Sequence, residues 1–173
     1  MNTDYRHLLP DAFSPDSRVW IYQCNRLFSL SEALQIEERL EKFTAEWHTH
    51  GAPVKGYANL FFGRFIVLMA DETAAGVSGC STDSSVRLIK EIEQLFSVSL
   101  FDRQLLAFII KDAIQLLPLA QVQYAINNNY VGGDTIYFNN TIQTKEEFEN
   151  NWMVPVKASW LAKRLSFTAS SPY

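Results

Sequence analysis

Cysteine is scarce in this chain of 173 residues: Cys24 and Cys80 are the only two, far apart and without C-x-x-C spacing. That spacing excludes a zinc knuckle and a disulfide framework, and it fits a reducing, cytoplasmic setting. Positive charge is also in short supply, with 15 Lys and Arg against 19 Asp and Glu for a formal net charge of -4. A general affinity for nucleic acid is not expected, because such proteins carry a clustered basic surface. The strongest apolar run, Phe65 to Ala70, is far shorter than the roughly 20 residues that span a bilayer. The N-terminus, MNTDYRHLLPDAF, lacks the basic start and apolar stretch of a secretory signal, so no membrane anchor is expected.

What is present is the composition of a soluble globular domain, 47% hydrophobic and 20% charged. Residues 1–17 carry two prolines and no periodicity and read as an N-terminal arm; residues 18–173 read as a single α+β domain. Arg18 to Cys24 is rich in β-branched and aromatic residues and predicts a first strand. Ser29 and Glu32 form a capping box, and Ala33, Ile36, Leu40, Phe43 and Trp47 follow at helical spacing up to a stop at Gly51. Lys55 to Phe62 and Phe65 to Ala70 predict a hairpin turning at Gly63-Arg64.

Val86, Ile89, Ile92 and Phe96, widened by Leu88 and Leu95, mark a second amphipathic helix, and Leu105 to Lys111 predicts a fourth strand. This order implies a split βαβ, ferredoxin-like core, with helices on one face of an antiparallel sheet. A helical C-terminal extension follows: Pro118 to Ile126, Thr144 to Trp152 and Pro155 to Leu165 are helix candidates, and Thr135 to Phe138 is a short strand.

The stretch most like a built site is GVSGCSTDSSV, Gly76 to Val86. Its glycines permit a tight turn, and its hydroxyls and Asp83 can cap a helix start, where backbone N–H groups can hold an anion or activate a thiol. Two chemistries follow. In the first, Ser78, Gly79, Ser81, Thr82, Asp83, Ser84 and Ser85 bind a phosphate or carboxylate group, with Arg64, Arg87 and Arg103 the cations nearest in sequence. In the second, Cys80 is a nucleophile, although the negative charges of Asp83 and Asp71-Glu72 oppose a thiolate. His48 and His50 suit a helix C-terminus better than a metal, and an acidic pair ending a strand is ordinarily solvated. No cofactor or metal is implied.

The block Phe61 to Glu72, continued by Gly76 to Val86 and Phe101 to Arg103 and preceded by Trp20 to Gln23, resembles a small uncharacterised bacterial family whose members often bear the label "ABC transporter ATPase". The resemblance covers roughly residues 18–112 and implies a cytosolic single-domain protein without an established activity. ATPase activity is not expected, because that class needs the G-x-x-x-x-G-K-[ST] loop, and the nearest match, GAPVKGYA at Gly51, continues after Gly56 with Tyr57 and Ala58. The leading expectation is a noncatalytic cytoplasmic domain binding a small molecule or protein partner through the Gly76–Ser85 loop. A thiol enzyme built on Cys80 is the alternative. A module for protein contacts, including self-association, is the third, signalled by an exposed apolar patch.

Overall fold

The structure is a computed structural model and describes residues 1–49, 51–73 and 79–167, with the side chains of residues 79–81 outside the description. It is α+β, with helices and antiparallel sheets, and divides into two compact units. The larger comprises Asp4–Asp102 and Asn140–Glu149; the smaller comprises Met1–Thr3, Arg103–Asn139 and Asn150–Tyr173.

In the larger unit β1 (Arg18–Gln23) leads to α1 (Leu30–Glu46), which Ser29 caps: its hydroxyl accepts from Glu32 N while the Glu32 carboxylate accepts from Ser29 N. The helix stops before the expected Gly51. Trp47 is its C-cap, and β2 (His48–Thr49) and β3 (Ala52–Pro53) form a small hairpin around Gly51, at φ +79. Then β4 (Lys55–Phe61) and β5 (Phe65–Asp71) form the expected hairpin, turning through Phe62 and Gly63, both left-handed. The sheet order is β1-β5-β4, so β1 and β4 run parallel with β5 between them and α1 as the crossover. The helix α2 (Gly79–Phe96) follows β5.

The continuous apolar run of β5 is explained by burial on both faces. Ile66 and Leu68 meet Ile36 and Leu40 of α1 and Ile89 and Ile92 of α2. On the opposite side, Tyr5 and Phe148 close edge-on against Phe61 at ring separations of 6.2 and 5.6 Å. The N-terminal arm is thus laid on the sheet, and the Tyr5 hydroxyl donates to Phe148 O. Leu95, expected in the buried stripe of α2, is 48% exposed, because Leu88, Ile89 and Ile92 already fill that face.

The smaller unit corrects the expected fourth strand. Leu105–Ile110 (β6) does not join the first sheet; it hairpins with β7 (Ala113–Pro118) through Lys111 and Asp112, both at positive φ, in a second sheet ordered β7-β6-β8-β9. Among the described residues the first sheet therefore has three strands rather than the four of a ferredoxin-like core, and the free edge of β1 is met by Gln143 and Thr144. The helix α3 (Leu119–Asn127) packs with Leu106 and Phe108 of β6, and β8 (Ile136–Phe138) pairs with β6 on its other side. The chain then forms α4 (Lys145–Asn151), capped reciprocally by Thr144 and Glu147, before β9 (Met153–Pro155). Pro155–Leu165 is not one helix: two short 3-10 turns, Val156–Ala158 and Trp160–Lys163, are separated by Ser159, whose hydroxyl recaps the second.

Candidate functional site

The sequence-derived candidates that the structure describes take different roles. Gly76, Val77 and Ser78 lie outside the described residues, as do His50 and the side chains of Gly79, Cys80 and Ser81, so neither the thiol nor the turn is described. Of the remainder, Ser85 is fully buried and its hydroxyl donates to Thr82 O at 2.6 Å, which makes it a helix-packing group rather than a ligand donor. Asp83 is exposed and Thr82 half-buried. Ser84 lines a cleft.

Arg64 is not a surface cation. It is 7% exposed at the start of β5, donates from Nη1 to Cys24 O at 3.2 Å, and leaves Nε without a partner. Burial lowers its proton affinity, and burial raises that of the neighbouring Cys24 thiol, which packs as a small hydrophobe. Arg103 belongs to the smaller unit and is exposed.

Nor is Asp71-Glu72 a solvated acidic pair. The Asp71 side chain is 2% exposed and accepts from Thr73 N, Ser14 N, the Thr73 hydroxyl and Lys55 Nζ. The backbone donors of Thr73 and Ser14 hold its carboxyl well below the usual carboxylate range. It anchors the N-terminal arm, while Glu72 faces Arg18 at 3.5 Å. Among the described residues no group of three or more His, Cys, Asp and Glu is placed to hold a metal.

The cleft itself lies between the C-terminal half of α1 and the N-terminal half of α2, with a volume of about 340 Å³. From α1 it takes Arg39, Lys42, Phe43 and Glu46; from α2 it takes Ser84, Arg87, Leu88 and Glu91. Both sets are spaced i, i+3, i+4, i+7, the pattern of one stripe on a helix. The topology brings these stripes together. With β1 antiparallel to β5, the helices that follow each strand run back in opposite directions, so the end of α1 meets the beginning of α2.

Each stripe has an apolar member facing inward. Leu88 is buried in the core, and half-buried Phe43 lies 4.9 Å from the ring of Trp47, which in turn approaches Trp20 at 6.1 Å. Trp47 and His48 also line the cleft, and His48 Nδ1 lies 2.6 Å from Glu46 O. Of this lining the sequence points to Ser84 as a ligand group and Arg87 as a candidate cation; Arg39, Lys42, Glu46 and Glu91 escape it because they belong to no single local motif. The available signal was the repetition of the same spacing, with a cation beside an apolar residue, on two helices.

An exposed apolar surface is present as well: Leu27, Leu30 and Leu34, at 56, 78 and 59% exposure, at and before the first turns of α1. No helix among the described residues is long and apolar enough to cross a membrane. Compared with protein families, with curated proteins and with solved structures, the chain matches none.

Proposed function

We propose that this is a noncatalytic binding domain whose small-molecule site is the cleft between α1 and α2. The carrying observation is the pairing of two helix stripes around a concavity within the range of small-ligand pockets, about 300–1,000 Å³, with an apolar floor and a polar rim. Ser84 links the cleft to the Gly76–Ser85 segment that the sequence singles out.

The noncatalytic part rests on where the unusual titrating groups sit. Catalytic acids, bases and nucleophiles cluster where proton affinities are displaced in a cleft. Among the described residues the displaced groups, Tyr5, Cys24, Arg26, Glu32, Tyr57, Arg64, Asp71 and Tyr137, are displaced by burial or by structural hydrogen bonds, and none lines the cleft. The leucine surface of α1 suits a macromolecular partner, but nothing in the structure says what covers it, so the small-ligand reading is preferred.

The test is a small-molecule screen followed by amide chemical shifts. Binders should move residues 39–48 and 84–91 together, and should lose that effect in Phe43→Ala with the fold intact by circular dichroism. Binders that consistently move other surfaces, or the absence of any binder at millimolar concentration, would refute the reading.

A further inference from the structure

Resting on the cleft as a ligand site, we infer that its ligand is an organic anion with one compact acidic group, phosphate or carboxylate, bridging Lys42 and Arg87, and an apolar body against Phe43 and Leu88. The argument begins with charge. Lys42 and Arg87 come from opposite helices, occupy the same place in their stripes, and line one concavity. Neither forms an ion pair among the described residues.

Each has carboxylates four residues before and after it, Glu38 and Glu46 about Lys42 and Asp83 and Glu91 about Arg87, and none of the four pairs with it within ion-pair distance. Two cations on facing walls, with Arg39 beside Lys42, are therefore without a direct ion pair, although Glu46 and Glu91 share the cleft, in a chain whose net charge is -4. A group carrying negative charge on two or three oxygens satisfies both at once. Arg87 offers a planar fork suited to bidentate contact, and Lys42 offers a point charge. The α2 dipole adds little, since its effect fades within about the first turn and Arg87 lies beyond that.

The carboxylates limit the ligand as much as the cations attract it. Glu46 and Glu91 also line the cleft, so a polyanion laid along it would meet like charge. That favours a single acidic group over polyphosphate or nucleic acid. The apolar part of the lining, formed by the half-buried face of Phe43, by Trp47 and by Leu88, suits a planar or aliphatic body, while Arg39, His48 and Ser84 complete the wall.

Phenyl phosphate, benzoate, inorganic phosphate and neutral phenol are the probes, each titrated into the intact protein and followed by amide shifts. Phenyl phosphate or benzoate should move both stripes and bind at least about tenfold more tightly than phenol, a difference near 1.4 kcal/mol. Its affinity should fall with added salt, and about tenfold in Lys42→Gln and in Arg87→Gln, while phenol is unaffected. Which acid binds more tightly assigns the acidic group. Phenol binding in the cleft as tightly as both acids overturns the anion while leaving the ligand site standing. Inorganic phosphate matching phenyl phosphate there overturns the apolar body. If no probe moves either stripe, this inference fails; the ligand site fails with it only if the wider screen is also empty.

Discussion

The two units bury different things. All seven buried polar or charged residues among those described, Ser17, Gln23, Thr49, Arg64, Asp71, Ser85 and Lys145, belong to the larger unit. The smaller unit has an apolar and aromatic core of Leu106, Phe108, Val122, Ile126, Tyr137 and Leu161, whose polar exception is a Tyr137 hydroxyl paired with Trp160 Nε1 at 3.2 Å. Burying a polar group costs free energy unless it is paired, so a unit holding many of them is specified by hydrogen bonds as well as by packing. Asp71 fixes the arm, Gln23 receives Asn140 Nδ2 at 2.9 Å, and Lys145 reaches Phe13 O. These contacts tie the N-terminal arm, the first sheet and residues 140–145 to one another. The smaller unit is held by its apolar core, and among its described strands only β6 and β7 are joined by a tight turn. The candidate site lies in the unit that carries the polar framework.

If this contrast is one of polarity and not of packing quality, core truncations should cost alike in both units. Leu40→Ala, under α1, and Phe108→Ala, in the centre of the second sheet, remove side chains that are 2% and 0% exposed. The expected losses are about 2–5 kcal/mol for the leucine and about 3–5 kcal/mol for the phenylalanine. Denaturant midpoints with unchanged slopes provide the measurement. A Phe108→Ala loss below about 1 kcal/mol would mean that the smaller unit is loosely packed, and the comparison would have to be redrawn.

The contrast also explains what the sequence could reveal. Elements with local signals were legible: α1 through its capping box, the β4–β5 hairpin through Gly63, and α2 through its apolar stripe. β7 escaped notice because its turn, Lys111-Asp112, takes left-handed backbone without a glycine or asparagine. The partner of β6 was misassigned for a related reason: a strand two residues away closes a far shorter loop than the edge of β1. The end of α1 was set by Trp47, which leaves the helix to bury its ring, a tertiary effect that helical periodicity does not encode. The cleft was hidden because its two stripes lie 45 positions apart in sequence (Arg39 to Ser84) and meet only through the sheet.

Two glycines sharpen the comparison at intermediate cost. A Cβ on Gly56 in β4 would lie 2.6 Å from Trp47 Cε3, and that ring is held against Phe43 and Trp20. Gly56→Ala should therefore cost about 1–3 kcal/mol by overpacking. It should also weaken any ligand of the cleft, since Phe43 and Trp47 line it. A Cβ on Gly132, in the smaller unit, meets nothing within 4 Å, and Gly132→Ala should stay within about 0.5 kcal/mol. Thermal unfolding of the two variants side by side checks both; equal losses would contradict the placement of Trp47 beneath β4.

The mildest test uses acid. Asp71 is held low chiefly by the backbone donors of Thr73 and Ser14, and Glu32 is lowered to about 2, chiefly by Arg26 and then by Ser29 N. Both carboxyls bind protons more weakly when folded than when unfolded, where their values lie near 4. Their stabilisation is therefore complete above about pH 5 and is lost as pH falls towards 2. Both belong to the larger unit, and no carboxylate is buried in the smaller one among the described residues. Between about pH 4 and 2, amide hydrogen exchange should accelerate first in β5 and in residues 12–17, where Ser14 N meets Asp71. β6 and β7 should hold longer, and Asp71→Asn should flatten the acid limb of the denaturation midpoint. Earlier loosening of β6 and β7 would show that acid sensitivity does not follow the buried polar framework, and that the division between the units is not the one drawn here.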